Sequence, residues 1–211
     1  NVPFNREWRP QDELGGSTRI VVWLHELVKV IEKRHKGVSI GVIGNCLTGS
    51  LPLALLDNKS IGAGVIAQPV LPFRVFSRRT GVDEGDLALS CPERDEIKKS
   101  TAKIYGVRFE HDRISPKVKF DWLKSPENHF IDRFIDAEIS EAEYLERKSP
   151  ESHKKAHSTL ISEYDTGGRV TEASQKRRDE VCSFLKDPTG FRRGDNKCSN
   201  PPLSHHFDES G

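Results

Sequence analysis

Apolar residues along the chain follow two alternating periods, one helical and one extended. Ile20, Leu24, Leu27, Val28 and Ile31 recur at i, i+4, i+7, i+8 and i+11, one face of a helix. Glu26, Lys29, Glu32 and Lys33 occupy its other side. The β-branched run Ile20-Val21-Val22 favours a strand, but the length and the charged far side predict a helix, capped by Ser17 and ended by Gly37. Val38-Ser39-Ile40-Gly41-Val42-Ile43 is short, apolar and β-branched, which predicts a buried parallel strand.

The same alternation continues. Gly44 to Gly49 turns the chain, and Leu51 to Leu56 reads as a helix whose Pro52 fits in the first turn. A second strand is expected over Ala63 to Ala67, closed by Gln68-Pro69. Val82 to Lys99 is polar and helical in its second half, and Lys103 to Phe109 is a third strand. A helix from about Pro116 to Leu123 precedes a fourth strand over Phe130 to Ile139. Glu141 to Lys155 is a charged connection, and a last helix over Thr171 to Leu185 turns Val181, Phe184 and Leu185 inward. Strands alternating with helices predict an α/β layered fold with a mainly parallel sheet. Residues 1–16 form an irregular lead-in, 17–186 the folded domain, and 187–211, rich in proline and glycine, a disordered tail.

Composition narrows the function. The 211 residues carry 33 Lys+Arg against 32 Asp+Glu, a net charge of +1, which lacks the field of a nucleic-acid or membrane-surface binder. A hydrophobic fraction of 35% against 31% charged is poor in core-formers yet above that of a disordered chain. No apolar run approaches the roughly 18 residues of a membrane span. The expected partner is a small molecule, and the expected state a monomer. Four cysteines without regular spacing predict a reducing, cytoplasmic compartment. The chain contains no methionine and begins Asn1-Val2-Pro3-Phe4, so a removed leader or a piece of a longer protein is expected.

The first strand-to-helix turn holds the candidate chemistry. Gly44 stands two residues before Cys46 and Gly49 three after it, with Thr48 where the strict G-x-S-x-G pattern has glycine. On a strained turn of this kind a helix N-terminus favours the thiolate, and the Leu47 N–H can stabilise an oxyanion. The plain alternative is a buried cysteine beside an ordinary turn. Asp112 follows the third strand and His157 the fourth, so nucleophile, acid and histidine fall in the chain order of α/β-hydrolase triads, all at one sheet edge. Asp112 is equally suited to be a turn residue, with Glu110 a rival acid. His157 competes with His153 and with a role as a surface histidine.

Val38 to Gly49, Val107 to Pro116 and Ala156 to Leu160 resemble, respectively, the elbow, the acid segment and the histidine segment of the dienelactone hydrolase family. The similarity spans roughly Thr18 to Leu185. The resemblance implies an α/β-hydrolase fold and a thiol hydrolase of lactones or esters. It would use Cys46, His157 and Asp112, with the Leu47 N–H as oxyanion donor, and no metal or cofactor. It also implies that the family's first strands, and the loop with a second oxyanion N–H, precede Asn1. Together with Thr48, their absence leaves a second reading, a truncated or degenerate domain that binds a ligand or partner without turnover.

Other signals point elsewhere. Cys91 reads as a loop thiol and Cys182 as core packing. Cys198 with His205 and His206 lacks a fourth zinc ligand. Lys176-Arg177-Arg178 and Arg192-Arg193 read as solvated basic runs.

Overall fold

Thr18, not Ser17, caps the first helix, its hydroxyl accepting the Val21 N–H at 3.4 Å. The computed structural model describes residues 18–71, 87–126, 132–140, 160 and 172–193. Within them run α1 (Arg19–Arg34), β1 (Ile40–Asn45), a 3-10 turn (Cys46–Thr48), α2 (Leu51–Ala54) and β2 (Ile61–Ala67). They are followed by α3 (Cys91–Lys99), β3 (Lys103–Val107), α4 (Val118–Lys124), β4 (Phe134–Asp136) and α5 (Glu172–Lys186).

The four strands form one parallel sheet in the order β1-β2-β3-β4. Alternation along the central strands divides the core in two. Ile66 and Ile104 pack with Val21 and Val28 of α1, Leu53 of α2, Ile97 of α3 and Phe120 of α4. Ala63, Val65, Tyr105 and Val107 turn the other way, onto Val181 and Phe184 of α5. Helices α1 to α4 therefore cover one face and α5 the other, an α/β fold in three layers. Crossovers on one face are what right-handed connections require when strands are added in one direction.

Several expectations change. The inward stripe of α1 rests on Val21 and Val28, while Leu27 is exposed along with Trp23 and Val30. The first strand is parallel but not buried. It lies at the sheet edge, and Val38 beside it and Ile43 within it are exposed. Helix α2 is one turn long rather than extending to Leu56, with Pro52 in its first turn as expected. Cys91 is the first residue of α3, capped by Ser90 and Glu93, and not a loop thiol. Cys182 is exposed rather than part of the core.

Residues 187–193 are not part of a loose tail. Asp187 Oδ1 accepts the Gly190 N–H at 2.9 Å, and Phe191 is buried against Tyr105 and Phe184. The lead-in 1–16, the connection 141–155 and residues 194–211 lie outside the described residues. No helix among the described residues is long and apolar enough to cross a membrane.

Candidate active site

The C-terminal edge of the sheet is aligned by register. Asn45 pairs with Ala67, and Ala67 with Val107, so β1, β2 and β3 end side by side. Cys46 continues from the first of these ends, Gln68 from the second and Arg108 from the third. Cys46 and the end of β3 are thus two ladder spacings apart, about 10 Å, a gap that loops and long side chains can close.

Glycine is sterically required on both sides of the turn at Cys46. A Cβ on Gly44 would stand 2.5 Å from Pro52 Cδ and collide with the Thr48 carbonyl oxygen. A Cβ on Gly49 would stand 2.5 Å from Pro69 Cα and 2.9 Å from the Cys46 carbonyl oxygen. Between them Cys46 takes φ +55°, the left-handed region that a side chain makes costly. Such a residue carries about 1–3 kcal/mol of strain and persists only where its surroundings over-determine it.

The hydrogen bonds here do so. Thr48 Oγ1 accepts the Asn45 N–H at 3.0 Å and donates to the Asn45 carbonyl at 3.0 Å. The Cys46 carbonyl accepts Gly49 N–H at 3.0 Å and Val70 N–H at 3.1 Å. At about 0.5–1.5 kcal/mol for each bond, the set is large enough to offset the strain. Thr48 is exposed, so a threonine in place of the usual glycine braces the turn instead of crowding the thiol. Cys46 itself is half-buried and forms no disulfide. With only one helical turn in α2, aligned peptide dipoles contribute less to a thiolate than the longer expected helix would. Leu47 is the second residue of the 3-10 turn, where backbone N–H groups lack intrahelical partners.

Asp112 is 3% exposed, whereas its rival Glu110 is exposed. Its Oδ1 accepts N–H groups from Ile114 at 2.8 Å and Ser115 at 3.0 Å, so it does close a turn. This is compatible with orienting an imidazole, since a carboxylate has about four acceptor sites. Arg108, 1% exposed, holds the loop from beneath. Its Nε donates to the Ser115 carbonyl at 3.1 Å, its Nη2 to the Glu110 carbonyl at 2.8 Å, and its Nη1 pairs with Glu138 beyond β4. The Ser115 hydroxyl is buried without a hydrogen-bond partner among the described residues.

Cys46, Leu47 and Asp112 therefore lie at one sheet edge, while His157 and its rival His153 lie outside the described residues. Cys198, His205 and His206 lie outside them too, and the described residues contain no group of three or more His, Cys, Asp or Glu able to hold a metal ion. The basic runs divide. Arg177 is buried against Glu180 at 2.6 Å, and Arg178 Nε donates to the Leu160 carbonyl at 2.7 Å, so neither is merely solvated.

Gln68 is the residue that sequence reasoning missed. It is fully buried at the tip of β2 with φ +35°, and its Nε2 donates to Asn45 Oδ1 at 2.8 Å. The only linear signal was a polar residue before Pro69, which reads as the close of a strand. Comparison with family models, curated proteins and solved structures finds no match to this chain.

Proposed function

We propose that the chain is a dienelactone hydrolase-like thiol hydrolase that cleaves a lactone or carboxylic ester. The Cys46 thiol gives its proton to His157, its sulfur attacks the carbonyl carbon, and the displaced electron pair moves to oxygen beside the Leu47 N–H. Collapse breaks the carbon–oxygen bond, and His157 protonates the departing alkoxide. Water, deprotonated by His157, then attacks the thioester and releases the acid and the thiolate. Asp112 orients His157.

The backbone of Cys46 carries this reading. A cysteine at φ +55° between a parallel strand and a helix, closed in by two sterically required glycines, supports reading this turn as a nucleophile elbow. Two further features support it. The strands run β1-β2-β3-β4 in parallel, and the buried carboxylate of Asp112 follows the third at the same edge as Cys46.

Replacing Cys46 with Ala should abolish turnover of p-nitrophenyl acetate, and undiminished turnover would overturn the mechanism. Iodoacetamide near pH 7 provides a second test: a poised Cys46 alkylates faster than the exposed Cys91 and Cys182. Equal labelling would favour a domain that binds without turnover.

A further inference from the structure

We propose that Gln68 is a positioning residue for Cys46, acting through Asn45; the proposal rests on the thiol-hydrolase reading. Gln68 stands at the tip of the strand between those that lead to Cys46 and to Asp112, and it is bonded to both sides. Its backbone N–H donates to the Val107 carbonyl at 2.7 Å, and its side-chain amide to Asn45 Oδ1 at 2.8 Å. Two residues on, Val70 N–H donates to the Cys46 carbonyl. The 68–70 segment thus grips the side chain before the thiol and the carbonyl of the thiol's own residue.

The chemistry of the position argues for this role. A fully buried amide is disfavoured unless hydrogen-bonded, and an apolar residue of equal length would fill the same space without that demand. A glutamine at positive φ adds backbone strain to the desolvation. What the amide supplies is a fixed orientation for Asn45. Because Thr48 already holds the Asn45 N–H and carbonyl, fixing its side chain leaves the peptide entering Cys46 no freedom to swing. The sulfur is then confined to one direction of approach, the kind of preorganisation on which attack geometry depends.

The test compares Gln68→Met, Asn45→Ala and their double variant in the full chain. Two measurements are made: kcat and KM on p-nitrophenyl acetate, and the pH profile of iodoacetamide alkylation at Cys46, with Cys91 and Cys182 as internal references. Each single variant should lose about tenfold or more in kcat with KM nearly unchanged, and the double variant should lose no more than the worse single one. The Cys46 alkylation profile should depart from that of the wild type while the two reference cysteines keep theirs. Asn45 is only half-buried, so Asn45→Ala decides the matter if Gln68→Met fails to fold. Wild-type kcat and an unchanged Cys46 profile in that variant would overturn the proposal, as would losses that multiply in the double variant. Wild-type turnover that survives Cys46→Ala would refute the hydrolase reading instead, and the alkylation profiles alone would then judge the positioning role.

Discussion

Arg108 donates through Nε to the Ser115 carbonyl at 3.1 Å, across the loop that carries Asp112. Residue 115 is also where Asp112 Oδ1 finds one of its N–H donors, so a single peptide segment links the guanidinium to the carboxylate. The planar fork suits this task, because its separate N–H groups reach two carbonyls and Glu138 at once. The Asp112 loop is therefore supported from the segment beyond β4 as well as from the end of β3.

Replacing Arg108 with Met should lower stability by about 2–4 kcal/mol in urea denaturation, since the buried Ser115 carbonyl and the Glu110 carbonyl lose their donor and Glu138 its partner. Arg108→Lys should recover only part of this, having no fork to serve three acceptors. Full recovery by lysine would mean that charge alone holds the loop.

Asp112 performs a turn role and, as proposed, an orienting role, and two substitutions separate them. In Asp112→Asn the amide oxygen can still accept from Ile114 and Ser115, so stability should fall by no more than about 1 kcal/mol. Ester hydrolysis should nevertheless drop by a factor on the order of 10²–10⁴, because the imidazole loses its anionic partner. Asp112→Ala should lose both stability and rate. Wild-type hydrolysis by Asp112→Asn would leave Asp112 a turn residue alone.

Gly44→Ala should be among the most damaging small changes. Its methyl group would press the Thr48 carbonyl and the Pro52 ring, neither of which is the far end of a flexible side chain. The strand and the turn must separate, so a loss of about 2–4 kcal/mol is expected with loss of hydrolysis. Gly41→Ala is the control, since its methyl group would meet the mobile end of Leu185. Equal stability of the two alanine variants would contradict the steric account.

Local signals are legible in the chain; non-local ones are not. The apolar runs around Val42, Val65 and Ile104, separated by helical stretches, predict the parallel α/β layering because each depends on neighbouring residues alone. Gly44, Cys46 and Gly49 likewise mark the turn by their spacing. Which strand lies at an edge depends on pairing across the sheet, so the exposure of Val38 and Ile43 cannot be read from their hydrophobicity. Phe191 falls in a stretch that reads as a tail for its prolines, glycines and few large apolar residues, yet a distant aromatic, Tyr105, packs edge-on against it at 5.7 Å. Gln68 stayed hidden for the same reason, as its partner Asn45 lies 23 residues away.

Tyr105 supplies the pH dependence. It is fully buried, its hydroxyl donates to Glu180 at 3.0 Å, and Glu180 also accepts from Arg177 at 2.6 Å. Burial raises the Tyr105 pKa well above the ordinary value, and the Glu180 charge adds to the rise against the opposing Arg177. In the unfolded chain a tyrosine titrates near 10. Above about pH 10 the unfolded state therefore holds fewer protons than the folded state, and stability falls as pH rises, by up to about 1.4 kcal/mol per pH unit. Below that pH both states keep the proton, and the contribution is present in full. Tyr105→Phe should cost about 1 kcal/mol at neutral pH through the lost bond to Glu180. It should also flatten the alkaline limb of the stability profile between roughly pH 10 and 11. Urea denaturation of both proteins across that range measures the difference, and parallel alkaline limbs would show that Tyr105 does not govern the transition.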